Sequence, residues 1–315
     1  MRNRFRDLVV AIIAAVATGF VLLSLPQTSG QSAQRGRTAD GKPDLSGIWQ
    51  ANNEANWDLE PHAALPGMVT QRGVYPYDYA RVPAAPVLAL GAVGAVRGSL
   101  GVVEGGRIPY KPEALAKKKQ NLEHWLERDP EVKCFLPGIP RAMYMPYPFR
   151  IVQGTNKVQM AFEYTSSTRT VHLDEVDDPP DDSWMGHAVG RWEGDTLVID
   201  SSHFNDQSWF DRAGNFHSDK LHLIERLTPI SADAIQYDVT IEDPEVFTGP
   251  WKISMPLYRR LDTNMQLLEF RCQEFVEELA FGHLRKNQLV NGWSSDTMDI
   301  TIKRKIPAGD KLYER

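Results

Sequence analysis

The fold of this chain is decided by residues 184–227, WMGHAVGRWEGDTLVIDSSHFNDQSWFDRAGNFHSDKLHLIERL. The turn residues EGD at 193–195 separate an apolar run from the β-branched run TLVIDS at 196–201, and β-branched residues favour half-buried strands. A polar loop with AGN at 213–215 follows, and residues 217–227 then alternate strongly. The pattern predicts a strand, a tight turn, a second strand, a long loop and a third strand.

The third of these strands carries carboxylates on its apolar face. Its leucines share one parity with Asp219 and Glu225. Since the leucines face a core, both carboxylates are predicted to point inward, with His217 at the entrance. A buried carboxylate is costly unless it is paired, so Glu225 has either a structural partner or a place in a site.

Composition bounds the class of protein. The chain has 315 residues, 42% of them hydrophobic and 24% charged, which is enough apolar material for a sizeable core in one large domain or two modest ones. The net charge is −6 and no basic stripe is visible. Nucleic acid is therefore a poor partner.

The N-terminus has the layout of a secretory signal. Three arginines in residues 2–6 precede an uncharged run at 8–25, and small polar residues follow. Residues 1–30 are predicted to be a signal peptide; because the run is also long enough to span a bilayer, a retained N-terminal anchor is the alternative. In both cases the remainder is exported, periplasmic or secreted, and touches a membrane only through that anchor. Residues 31–44 are predicted to be a linker.

Two cysteines, Cys134 and Cys272, would meet an oxidising compartment. A disulfide and a pair of buried free thiols both fit the sequence, because a bridge depends on a Cα separation that sequence does not show. No histidine spacing accompanies the cysteines, so neither a structural zinc site nor a cofactor is predicted. The acidic run at 174–182 is predicted to be a solvated loop, since its two prolines do not fit an EF-hand.

The rest of the chain predicts a mainly β fold. Residues 45–315 are predicted to form one antiparallel barrel of about nine or ten strands, because short connections join the strands and closure removes exposed edges. Residues 50–110 are an irregular insertion, predicted to form surface loops that either decorate the barrel or wrap and cover it. A helix is predicted at 111–128, with Pro112 in its first turn and a partial apolar stripe. Further strands are predicted at 150–153, 157–164, 169–173, 234–241, 251–257, 266–274 and 297–303, with a second helix at 273–288.

Gly47, Ile48 and Trp49 resemble the G-x-W that opens the first strand of lipocalin-like (calycin) barrels. That resemblance implies that the Trp packs under an Arg from the last strand, and Arg304 follows the last apolar alternation here.

A second resemblance covers about half of the chain. The blocks GRWEGDTLVID, FNDQSWFD, HSDKLHLIERL, TIEDPEVFTGPW and LLEFRCQE, in this order, resemble a widespread family of exported, uncharacterised bacterial proteins. This resemblance implies secretion and a β-rich fold, without a particular reaction or cofactor.

The candidate catalytic residues lie at or next to the strand positions that are predicted to point into the barrel. His203 continues the face of residues 197 and 199, so neighbouring strands would bring His203, His217 and Glu225 towards one end of the barrel, with Asp219 nearby. A His and a carboxylate in a desolvated site act as general base and partner, and Asp211 could orient a His. The alternative is a buried polar network, or a salt bridge of Glu225 with an arginine.

Candidate ligand-binding residues are aromatic or flank glycines. His187, Arg191 and Trp192 could line a ligand mouth or pack at strand ends. Trp209 and Trp251 belong to the aromatic set expected to line a cavity, and Asp211 in the connecting loop is a further ligand-binding candidate. No G-x-S-x-G elbow, phosphate loop or dinucleotide fingerprint occurs, which disfavours serine-hydrolase, ATP and NAD chemistry.

Three functions therefore stay open at the level of sequence. The first is an exported barrel that binds a small, largely apolar molecule. The second is a metal-independent acid–base enzyme (isomerase, lyase or hydrolase) in the same barrel. The third is a cell-envelope interaction protein that uses the loops at 50–110; a partner lost on deletion of residues 91–106 would identify it, and the sequence does not name that partner.

Overall fold

The computed structural model describes residues 36–66, 70–72, 79–81 and 95–272. Alternating apolar residues form most of its strands, because one face of each strand meets the core. The strands are β1 (Gly47–Ala51), β2 (Leu65–Pro66), β3 (Thr70–Arg72), β4 (Tyr79–Arg81), β5 (Ala95–Val96), β6 (Phe149–Gln153), β7 (Lys157–Phe162), β8 (Thr168–His172), β9 (His187–Glu193), β10 (Thr196–Ser202), β11 (His222–Ser231), β12 (Ala234–Glu242) and β13 (Trp251–Arg259). The helices are α1 (Pro112–Glu123) and α2 (Trp125–Arg128), with 3₁₀ turns at Glu104–Gly106, Arg141–Met143 and Tyr164–Ser166.

Nine of these strands close a barrel in the order β1-β13-β12-β11-β10-β9-β8-β7-β6. The prediction of a mainly β, closed barrel is confirmed. The expectation of antiparallel pairing holds for all barrel pairs except β8 and β9, which are parallel. Residues 173–186 return the chain to the end at which β8 began, and a connection of this length, unlike a hairpin, permits parallel pairing.

The barrel interior is filled by side chains. Inward residues such as Met160, Leu227 and Ile253 have 0% exposure. A barrel of about eight strands is just wide enough for its own side chains or for one small ligand. At these described mid-barrel positions the side chains pack into a core, and the expected cavity lined by Trp, Tyr and Met stays a prediction.

The first and last described barrel strands meet at a Trp–Arg contact. Trp49 is fully buried, and the Arg259 guanidinium lies 4.5 Å above its ring. Nη1 of Arg259 donates to the Ser46 carbonyl at 2.8 Å. A Trp beneath an Arg was expected, and Arg259 of β13 makes this contact; the expected Arg304 lies outside the described residues.

Two connections, β10–β11 (residues 203–221) and β12–β13 (residues 243–250), lie at the end of the barrel opposite to the Trp49–Arg259 contact. This end is here called the loop-covered end. Part of the predicted surface insertion packs onto the barrel, since Val103 pairs with Ile253 and Leu59 is fully buried. Its remaining described strands form two separate pairs, β2–β5 and β3–β4. These buried residues fit the alternative of a segment that wraps the barrel, and they do not fit surface decoration.

The predicted helix exists but packs differently from the expectation. It breaks at His124 into α1 and α2, and its leucines Leu115 and Leu122 are 39% and 48% exposed. The buried positions are Ala114 and Asn121, which are small enough for the helix to approach the loop at Gly214. None of the helices within the described residues is both long and apolar enough to cross a bilayer.

Cys134 and Cys272 form a disulfide with a Cα–Cα separation of 5.6 Å.

The predicted strand at 266–274 is absent over its described part, 266–272. The predicted linker is also partly anchored, because Arg37 donates to both carboxylate oxygens of Asp195 at 2.9 and 2.8 Å. The predicted signal peptide, the helix at 273–288 and the strand at 297–303 lie outside the described residues.

Candidate functional site

A buried ion pair lies inside the barrel. Glu225 on β11 is 0% exposed and Arg169 on β8 is 3% exposed. Arg169 donates to both carboxylate oxygens, with an Nη1–Oε1 distance of 3.0 Å. Tyr237 donates to Oε1 at 2.7 Å, and Ser201 donates to Oε2 at 3.1 Å. The carboxylate is thus held by donors from three other strands.

This network gives both oxygens of Glu225 hydrogen-bond donors and places the Arg169 guanidinium beside the carboxylate. Burial raises the pKa of Tyr237, and the neighbouring Glu225 charge raises it further, so the phenol stays protonated and keeps donating. The arrangement matches the alternative of a structural salt bridge with an arginine. One donor, Nε of Arg169, has no acceptor among the described residues.

His217 forms a separate buried pair with Ser208. Its Nε2 lies 2.8 Å from Ser208 Oγ, and its Nδ1 lies 2.9 Å from the Ser218 carbonyl oxygen. A carbonyl only accepts, so Nδ1 carries the proton and Nε2 accepts the Ser208 hydroxyl proton. Burial lowers the pKa of His217, which keeps the ring neutral near pH 7.

The four predicted catalytic residues do not converge. His217 and Glu225 have the separate partners described above. Asp219 is exposed and pairs with Lys220 at 2.9 Å, so its predicted inward orientation is wrong. The reason is local: β11 starts at His222, and the residues before it form a turn with no strand parity. His203 follows β10 with φ 56° and is partly exposed, so it also leaves the inward face.

Asp211 organises the loop and orients no histidine. Its oxygens accept the backbone N–H groups of Leu59, Ala213 and Asn215 at 2.9, 2.9 and 3.2 Å, and the Asn215 side chain at 2.6 Å. Burial, together with the nearby Asp58 charge, raises the pKa of Asp211 to about 7 despite these donors. Its role in the structure is to join residues 56–59 to the loop at 211–215.

The predicted ligand-mouth residues on β9 lie apart. His187, at the start of the strand, is half-buried and its ring centroid is 5.6 Å from that of His172. Arg191 is exposed and bonds Glu193 at 2.9 Å, while Trp192 is near the end of the strand. Five residues of extended chain separate His187 from Trp192 by about 17 Å, so they do not line one mouth.

Aromatic side chains cluster at the loop-covered end. Trp251 contacts Phe210 and Phe247 with centroid distances of 5.7 and 5.3 Å, and Phe210 also lies 5.3 Å from His217. Trp251 and Trp209 keep 5% and 7% exposure. The indole Nε1 of Trp251 is buried without an acceptor among the described residues.

A second charged cluster was not predicted from the sequence. Arg141, 1% exposed, pairs with Glu131 at 2.5 Å, and Arg212 bonds the same carboxylate at 2.7 and 2.8 Å. Burial opposes ionisation of Glu131, but Arg212 and Arg141 outweigh it and lower its pKa to about 2. The pKa of the neighbouring Asp129 shifts in the opposite direction, because burial raises it to about 6.

The sequence analysis missed Arg169 and Ser208, and the two differ in whether a sequence pattern could have identified them. Arg169 shares the inward parity of Val171 on β8, so alternation could have identified it. Ser208 lies in the loop, where no periodicity indicates a side-chain direction. In the part of the chain that the structure describes, no group of three or more His, Cys, Asp or Glu side chains is placed to hold a metal.

Over the described residues, the fold and the site define a class of protein: a closed, mixed β-barrel with buried inward side chains, an ion pair inside the barrel and loops that cover one end. Comparisons with protein-family models, curated proteins and solved structures found no match for the chain.

Proposed function

We propose that this protein is an exported, lipocalin-like barrel that binds a small, largely apolar molecule at its loop-covered end. The observation that carries the proposal is the buried indole N–H of Trp251, which has no acceptor among the described residues and lies within an aromatic cluster. A buried donor without an acceptor costs about 1–3 kcal/mol. A ligand that supplies one acceptor oxygen among these rings recovers that energy.

Packing supports this location. Mid-barrel residues such as Met160, Leu227 and Ile253 have 0% exposure, whereas Trp209 and Trp251 at the loop-covered end retain 7% and 5%. Ligand sites combine apolar walls with a few placed polar groups. A ligand with an apolar body and a single carbonyl, hydroxyl or carboxylate group fits this chemistry.

Two features support export. Residues 1–30 have the layout of a secretory signal. The disulfide between Cys134 and Cys272 is of a kind that persists in oxidising compartments.

The first experiment is native mass spectrometry of the protein purified without added ligand, beside its denatured mass. A native excess that disappears on denaturation would support a retained molecule. Isothermal titration with decanoic acid, 1-decanol and decane then tests the acceptor requirement directly. We expect the first two probes to bind and decane to bind at least about fivefold more weakly, the equivalent of one hydrogen bond.

Trp251→Phe is the decisive variant, because it removes the N–H and keeps an aromatic ring. We expect about fivefold weaker decanol binding, consistent with one lost hydrogen bond, and unchanged or higher stability without ligand. Trp192→Phe is the matched control, because Trp192 lies at the end of β9 that is away from the loop-covered end. Equal binding of decanol by wild type and Trp251→Phe, or no binding of any probe, would overturn the proposal.

A further inference from the structure

We infer that Ser208 is a nucleophile, activated by His217, that small carboxylic esters acylate. The inference is independent of the ligand proposed above, since it depends on the Ser208–His217 pair and not on Trp251. The absence of a G-x-S-x-G elbow excludes one way of presenting a serine, but not a serine placed on a loop beside a histidine.

The first support is the hydrogen-bond direction. Ser208 Oγ and His217 Nε2 are 2.8 Å apart, within the range for a nucleophile and its base. The proton on Nδ1 is held by the Ser218 carbonyl oxygen at 2.9 Å, which leaves the Nε2 lone pair directed at the serine hydroxyl. The histidine therefore has the tautomer that a general base requires.

The second support is a third group that fixes the base. Ser218, whose carbonyl orients the ring, donates its backbone N–H to Asp243 Oδ2 at 2.6 Å and its hydroxyl to Oδ1 at 2.9 Å. Asp243 is therefore a positioning residue, acting on His217 through Ser218. A peptide carbonyl here takes the place that a carboxylate has beside the histidine of a Ser-His-Asp triad.

The third support is the environment of the ring. His217 is 1% exposed, and Phe210 and Phe204 lie with ring centroids 5.3 and 6.3 Å away. Burial lowers the pKa of His217, and the Ser218 carbonyl opposes this shift. Charged groups act on the ring from several elements, namely Asp243 and Asp206, which raise its pKa, and Lys117, which lowers it.

Access to Ser208 runs past one irregular segment, residues 134–138. The Gly138 backbone passes directly over Ser208, since a Cβ at Gly138 would overlap the serine hydroxyl. Among the described residues the segment pairs with no strand; Cys134 and Phe135 donate their N–H groups to Glu131 and Pro130 in local turns. The Cys134–Cys272 disulfide tethers one end of the segment. Segments without strand pairing open locally at a lower free energy than paired strands, and the disulfide limits this opening to the residues after Cys134. Because Ser208 itself is 2% exposed, the substrate class is restricted to small acyl groups.

The proposed reaction has two stages, acylation of Ser208 and hydrolysis of the acyl-serine. Ser208 Oγ forms a bond to the ester carbonyl carbon while its proton passes to His217 Nε2. The tetrahedral adduct then breaks its bond to the alcohol, which takes that proton and leaves an acyl-serine. Water hydrolyses the acyl-serine by the same route, with His217 accepting the water proton and returning it to Ser208.

The test is covalent labelling of the intact, oxidised protein with methanesulfonyl fluoride, which is about the size of an acetyl donor, bonds to a serine oxygen and releases fluoride. Peptide mapping by mass spectrometry locates the adduct. We expect the label on Ser208 and at least about 100-fold slower labelling in His217→Gln, the size of a general-base contribution. Because the glutamine amide can still accept the Ser208 hydroxyl proton, a thermal melt of this variant verifies its fold.

Ser202 provides a matched control, because its Oγ lies 3.0 Å from His203 Nδ1 on a partly exposed part of the chain. Ser202→Ala should label at the wild-type rate, and hydrolysis of 4-nitrophenyl acetate should be lost in Ser208→Ala and kept in Ser202→Ala. Labelling should be constant between about pH 8 and pH 7 and fall in acid as His217 gains a proton. The inference is overturned if Ser208 in the folded protein labels no faster than in urea-denatured protein, or if His217→Gln labels at the wild-type rate.

Discussion

At the scale of single residues, Glu225 and Arg169 show what a buried charge requires. Glu225→Gln keeps the volume and removes the negative charge, so the Arg169 guanidinium stays buried opposite a neutral amide. Breaking a buried pair by removing one partner costs about 3–5 kcal/mol. We expect a loss of that size in the free energy of unfolding, measured by urea denaturation.

Two controls separate this effect from ordinary surface electrostatics. Glu193→Gln weakens exposed pairs with Arg191 and Arg226 and should cost less than about 1 kcal/mol. The double variant Arg169→Met with Glu225→Met should lose less than Glu225→Gln, because no charge is left alone. A Glu225→Gln loss no larger than that of Glu193→Gln would contradict the prediction.

At the scale of elements, the contact between β1 and β13 depends on one glycine. Gly47 has φ 147°, and a Cβ at this position would overlap Nη1 of Arg259. Gly47→Ala therefore introduces backbone strain and moves the guanidinium off Trp49. We expect a loss of about 1–3 kcal/mol in the free energy of unfolding, typical of a residue in a sparsely populated conformation.

Gly249→Ala is the control for this element, because nothing lies within 4 Å of its added Cβ. Its stability should stay within about 0.5 kcal/mol of wild type, as for most surface changes. Urea denaturation followed by Trp fluorescence measures both variants. Equal stability of Gly47→Ala and Gly249→Ala would show that the Arg259 contact does not constrain the junction of β1 and β13.

At the scale of the whole molecule, one covalent link joins the segment at 134–138 to the chain beyond β13. The disulfide spans a sequence separation of 138 residues. In the chain-entropy model a loop of that length contributes about 5 kcal/mol, and removal of a native disulfide typically costs about 2–5 kcal/mol. The double variant Cys134→Ser with Cys272→Ser should lose stability in that range.

Thermal melts with and without dithiothreitol measure the same quantity on the wild-type chain. Reduction should lower the Tm of the wild type and leave the double serine variant unchanged. Detection of two free thiols in the unreduced, denatured wild type would contradict the bridge.

The alternation of side chains made much of the barrel predictable. On β12 and β13 the predicted inward residues are the buried ones, from Ile235 to Ile241 and from Trp251 to Leu257. An alternating apolar pattern predicts burial reliably, because successive side chains of a strand point to opposite faces of the sheet. The same logic failed at Asp219, where the alternation of residues 217–221 belongs to a turn.

The site was predictable only in part. The inward orientation of Glu225 followed from parity, but its pairing with Arg169 required the closure that brings β8 and β11 to one interior. Ser208 opposite His217 could not be found from sequence, because both residues lie in an irregular loop. Loop side chains have no periodicity, and their directions depend on contacts such as those of Asp211 with residues 59 and 215.

The sequence by itself determined the mainly β barrel, the faces of most strands and the inward carboxylate, because these follow from local alternation and the cost of burying charge. The tertiary structure alone decided the parallel β8–β9 pair, the Arg259 contact with Trp49, the Cys134–Cys272 bridge and the Ser208–His217 pair. Each of these joins residues far apart in sequence or in an irregular loop. Such partners are set by the closure of the barrel and the packing of its loops, which no local pattern specifies.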